Sequence, residues 1–67
     1  MRDWLKEQRK EKGLTAKEVG DKLNISESYY SLIESGQRQK KMDLTLVAKL
    51  SSVLEIPIDQ IVANEAK

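Results

Sequence analysis

Sixty-seven residues without a cysteine or a histidine make one small domain with neither a disulfide framework nor the usual zinc ligands, and leave little material for a catalytic site. A chain this short buries only about 60% of the surface its unfolded form exposes, so its stability is expected to be marginal. Twelve Lys or Arg against eleven Asp or Glu give +1, too little to announce a nucleic-acid binder, but residues 1–42 hold ten cations to seven anions and residues 43–67 two to four. A basic half suits binding through one face; a solvated asymmetry without function is the other reading of the same count.

Arg2 to Lys12 lacks breakers and ends at Gly13, the expected residue just past a helix C-terminus, and predicts a first helix. Its apolar face is thin, made of Met1, Leu5 and Trp4, with Gln8 and Arg9 on the same side. Thr15 then opens a second helix. Its hydroxyl can cap a free N–H while Glu18 returns the bond, and Leu14 can pack over Val19. Free amides at this helix end, the Thr15 hydroxyl and the charge of Lys17 together suit a phosphate.

Asn24 tolerates a left-handed backbone and lets the chain turn within three or four residues. Ser26 caps a third helix, stapled by Ile25 and Tyr30. Small Gly20 falls where one helix backbone presses on the other. At about 100° per residue, Tyr30 and Ile33 face inward, Tyr29 and Glu34 lie on the flanks, and Ser28, Ser31, Leu32 and Ser35 point out, with Glu27 at the exposed first turn. An idle surface helix would more often carry Lys and Glu pairs there than three serines and a leucine. Short side chains let a helix sink into a major groove, where Glu27 can accept from a cytosine amino group, Ser28 and Ser31 can bond base edges and Leu32 can touch a thymine methyl. Glu27 can equally serve the positive end of its own helix. Tyr29 can reach a phosphate or cover the turn.

Gln37 to Met42 carries Arg38, Lys40 and Lys41 without an acid, and reads as a solvated linker or as a phosphate clamp. Asp43 caps a fourth helix, with Met42 and Val47 as its staple and Val47, Leu50 and Leu54 as a core stripe widened by Leu46 and Val53. Pro57 suits the first turn of a fifth helix over Ile58 to Ala63, whose Ile58, Ile61 and Val62 are expected to close the bottom of the domain. Residues 64–67 are expected to be a frayed tail after a domain spanning 1–63. No strand-like alternation is present, so the fold class is all-α, a compact bundle of five short helices. No apolar run approaches the roughly 18 residues of a membrane span and the N-terminus is charged rather than signal-like, which suits the cytoplasm.

The stretch from Thr15 to Gly36, with its motif over 16–35, resembles the DNA-binding helix-turn-helix of the phage Cro and repressor family. The likeness takes in Gly13-Leu14, Ser35-Gly36 and the run from Leu54 to Asp59, and departs at Ala16, where many relatives carry a phosphate-touching glutamine, and at Asn24, where a turn glycine is commoner. The resemblance implies a lambda repressor-like domain from a prokaryote or a phage, nucleoid-associated, that binds a double-stranded DNA operator as a transcriptional regulator, a repressor acting as a homodimer. On a DNA-binding domain the outward face of the third helix makes Glu27, Ser28, Ser31 and Leu32 the expected base readers, and Thr15, Lys17, Ser26, Tyr29, Arg38, Lys40 and Lys41 are the expected phosphate binders. The resemblance also matches Arg9 and Glu34 to a structural ion pair, and places Ile56 and Ile58 where relatives meet a dimer partner, though both can simply fill the core. No cofactor, metal, membrane or small-molecule ligand is expected, nor any enzymatic activity. Two alternatives remain: the DNA-binding antidote of a toxin and antitoxin pair, and a helical protein-interaction module without DNA binding.

Overall fold

The computed structural model describes residues 1–66, and its regular elements are five helices: α1 (Asp3–Glu11), α2 (Ala16–Lys22), α3 (Glu27–Ser35), α4 (Leu44–Leu54) and α5 (Ile58–Glu65). Three of them begin on a side-chain cap. Thr15 Oγ1 accepts from the Glu18 amide at 3.1 Å while Glu18 Oε1 accepts from the Thr15 amide at 2.9 Å, a complete capping box. Ser26 accepts from the Tyr29 amide and Asp43 from the Leu46 amide, so α3 and α4 start where short polar side chains can satisfy a free donor.

The joint between α2 and α3 is tight. Asn24 adopts a φ of 60°, and the Ile25 amide reaches back to the Gly20 carbonyl at 2.9 Å. A Cβ at Gly20 would stand 3.1 Å from the Ile25 carbonyl oxygen and 3.2 Å from that of Ser26, so the missing side chain sets how closely the two helices approach.

The core is built from Leu5 of α1, Val19 and Leu23 around α2, Tyr30 and Ile33 of α3, and Leu46, Val47, Leu50 and Leu54 of α4, closed by Ile56 and Ile61. Trp4, Leu14, Ile25, Met42 and Val53 pack on its edge. The bottom is closed by Ile61 rather than by three residues. Ile58 and Val62, four apart and so neighbours on one face of α5, are 45% and 55% exposed.

The two ends of the chain differ from the sequence expectation for one reason. Helix α1 begins at Asp3, not Arg2, and Met1 is 73% exposed, because Arg2 turns inward as the N-cap residue and takes the space between α3 and α5. Its guanidinium binds Glu65, which holds a last turn of α5 that runs to Glu65 instead of Ala63. Asn64 and Glu65 are therefore helical rather than frayed. Lys67, the end of the expected tail, lies outside the described residues.

Candidate nucleic-acid interface

Helix α3 is held by its buried side. The Tyr30 hydroxyl donates to Glu34 Oε2 at 2.7 Å, and Arg9 donates to the same carboxylate from Nε at 3.0 Å and from its terminal nitrogen at 3.3 Å. Arg9 also donates to the Leu14 carbonyl at 2.9 Å, so one side chain ties α1, the turn before α2 and α3 together. Burial pushes the Glu34 carboxyl upward, but the bonds from Arg9 and Tyr30 and the Arg9 charge outweigh it and hold it below the usual carboxylate range. Tyr30 responds the other way: burial, then the bond to Glu34, push its hydroxyl above the ordinary phenol range. Glu34, assigned to a flank by the helical wheel, is 7% exposed.

With that side fixed, Glu27, Ser28 and Ser31 are exposed, whereas Leu32 and Tyr29 are half-buried. Leu32 is thus less open than the wheel suggests, and its carbonyl is engaged by the amides of Gln37 and Arg38 and by the Ser35 hydroxyl. Tyr29 lies with its ring against the core edge. No ion pair among the described residues involves Glu27.

At the front of α2, the capping box already uses the amides of Thr15 and Glu18, so an anion there would meet only those of Ala16 and Lys17, which no carbonyl four residues back can reach. Lys17 is paired with Asp21 at 3.1 Å, both exposed, so its cation is partly countered. Ser26 is exposed, its oxygen occupied by the Tyr29 amide.

After Gly36, whose φ of 86° ends α3, the chain exposes Arg38, Lys40 and Lys41. None of the three enters an ion pair among the described residues. Glu27 opens the nine residues of α3 that lead to this loop, about 13 Å at the helical rise, against a major groove about 12 Å wide. A helix in the groove by its N-terminal half would leave the loop at the flanking backbone.

A family described as helix-turn-helix matches residues 5–61, from the middle of α1 into α5. The chain belongs to the Cro/C1-type helix-turn-helix family. Within that family fold, α2 and α3 are the motif and α3 occupies the place of the helix that enters the major groove in DNA-binding members. Over 39 residues the chain is 49% identical to an uncharacterized HTH-type transcriptional regulator, YqaF, of Bacillus subtilis (strain 168), a stretch covering 58% of this chain and 51% of that protein. The match thus spans about half the length of that relative. No solved structure matches the chain significantly.

Sequence reasoning missed one member of this helix-turn-helix neighbourhood. Arg2 is 7% exposed and donates to the carbonyls of Ile33, Arg38 and Gln39, at the end of α3 and in the basic loop. The available signal was a cation two residues into a chain whose third helix has no basic residue in its last turn.

Proposed function

We propose that this helix-turn-helix domain is a sequence-specific duplex DNA-binding transcriptional regulator that acts as a repressor, with α3 in the major groove. The observation that carries the proposal is the outward face of α3: Glu27, Ser28 and Ser31 are exposed and short or polar, and three exposed cations follow within the next loop. Glu27, Ser28, Ser31 and the accessible part of Leu32 read base edges. Arg38, Lys40 and Lys41, with Thr15, Lys17, Ser26 and the Tyr29 hydroxyl, hold the phosphates and set the register.

The protein binds as a homodimer on a two-fold operator in the cytoplasm. Ile56 is buried and Ile58 exposed, so the self-association face lies on α5, where Ile58 and Val62 stand one turn apart in the open. The same apolar pair favours a second reading, in which α5 docks a toxin and the chain is an antitoxin.

Selection of bound sequences from random duplexes, followed by footprinting and by sedimentation of the free protein, tests both. A two-fold site bound by a dimer is expected. Enrichment of no sequence would overturn DNA reading by α3, and a monomer on an asymmetric site would overturn self-association. The salt dependence is a second readout: replacing Arg38, Lys40 and Lys41 by alanine should lower the slope of log affinity against log salt by about 1 for each phosphate that is no longer neutralised.

A further inference from the structure

We infer that Arg2 is the positioning residue of the basic loop, holding residues 37–42 in the shape in which their cations meet the duplex backbone. The inference rests on the DNA-binding proposal and adds to it a residue that would itself touch no DNA. Arg2 joins three parts of the molecule. Its Nε donates to both carboxylate oxygens of Glu65, at 3.0 and 2.9 Å, one terminal nitrogen donates to the carbonyls of Ile33 and Arg38, and the other donates to the Gln39 carbonyl and lies 2.9 Å from Glu65. The Arg2 amide adds a bond to the Glu34 carbonyl at 2.8 Å. Glu65 is fixed in turn by the Trp4 indole N–H at 3.0 Å.

The loop needs such a hold. Gln39 has a φ of 53°, a left-handed conformation that a side chain makes unfavourable and that persists only where its surroundings impose it. Its surroundings are Arg2 on the carbonyl side and Asp43 on the other, where Gln39 Nε2 donates to the Asp43 carboxylate at 3.3 Å and Gln39 Oε1 accepts from the Asp43 amide at 3.2 Å. The Asp43 end also caps α4, so only the Arg2 end depends on residues distant in sequence. A guanidinium can serve these acceptors together because its five donors lie in one rigid fork; a lysine ammonium at the same place keeps the charge but not the geometry.

Arg2→Lys therefore separates positioning from mere charge. In the free protein, under conditions where circular dichroism shows parent and variant equally helical, the Arg38 and Asp43 amides should exchange hydrogen about tenfold faster in the variant while the Val19 and Leu50 amides keep the parent rate. Glu65→Gln, a milder change that leaves Arg2 its carbonyl partners, should move the same two amides less. In DNA binding, Arg2→Lys should lower the salt slope by about 1 or more, and should lower it no further when Arg38, Lys40 and Lys41 are already alanine. Unchanged loop exchange, equal acceleration of loop and core amides, or an affinity loss of the same size in both backgrounds would each overturn the inference. A parent that binds no duplex at all would overturn the DNA proposal instead, and the exchange measurement would still decide whether Arg2 holds the loop.

Discussion

Arg9 and Glu34 meet across the interface of α1 and α3 with Nε and Oε2 3.0 Å apart, their side chains only 13% and 10% exposed. The Tyr30 hydroxyl takes part from the core side, so the carboxylate is satisfied from two directions and burial of the charge is compensated. Removal of one partner leaves the other charged, nearly dry and unpaired. Arg9→Ala is expected to destabilise by about 3 to 5 kcal/mol, a large part of what so small a domain possesses. Lys10, exposed and in no ion pair among the described residues, is the control: Lys10→Ala should shift the urea midpoint little. Coincident midpoints for the two variants would show that the pair contributes nothing to folding.

The same cluster sets a pH dependence with two limbs. The folded-state pKa of Glu34 is depressed below its ordinary 4.5, so its contribution to stability is complete above that value and is lost as pH falls through the depressed one. Tyr30 is shifted upward from 10.0, so its contribution is complete below pH 10 and is lost as pH rises through the raised value. Urea midpoints should be flat near neutrality and fall at both extremes. Glu34→Gln should flatten the acid limb and Tyr30→Phe the alkaline one; acid limbs of equal steepness in parent and Glu34→Gln would mean that other carboxylates, such as the capping Glu18, dominate.

Local rules made much of the fold legible. The caps at Thr15, Ser26 and Asp43 and the turn at Asn24 depend on residues within four positions of one another, the range over which sequence spacing fixes geometry. Arg2 and Glu65 stand 63 positions apart, and nothing in either neighbourhood signals the other, which is why the last turn of α5 reads as a loose tail. Periodicity likewise identifies the apolar stripe of α5 but not how much of it the neighbours cover; they bury Ile61 completely and leave Ile58 and Val62 open. On α3 the wheel separates Glu27, Ser28 and Ser31 from the core, turns Leu32 further out than its half-buried position, and puts on a flank Glu34, which lies buried against Arg9.

Gly20 shows how the turn limits side-chain size. In Gly20→Ala the new methyl needs a few tenths of an ångström from two backbone carbonyls, and the gain in helix propensity, about 0.5 to 1 kcal/mol, opposes that strain. The variant should stay within about 1 kcal/mol of the parent. Gly20→Val adds two further carbons against backbone that can yield only by opening the turn, at a cost of about 1 to 3 kcal/mol. Thermal unfolding of both separates the cases; a valine variant as stable as the alanine one would mean that α2 and α3 are less tightly joined than the 3.1 Å approach implies.

Specificity should reside in the outward face of α3, because any basic surface can share phosphate affinity whereas discrimination between bases needs side chains at their edges. Glu27 is the sharpest test. It is exposed at the first turn and joins no ion pair among the described residues, so Glu27→Ala should leave the unfolding midpoint nearly unchanged. If its carboxylate accepts from a base, the variant should lose roughly 1 to 3 kcal/mol of discrimination at one base pair of each half-site. In a dimer the relaxed positions should occur twice, with half-site centres about 34 Å apart. Binding preferences of the Glu27, Ser28, Ser31 and Leu32 alanine variants, compared with the parent at one salt concentration, check this. Retention of the parental preference by all four would remove α3 as the reader, and relaxation confined to Glu27 would place base recognition in the first turn alone.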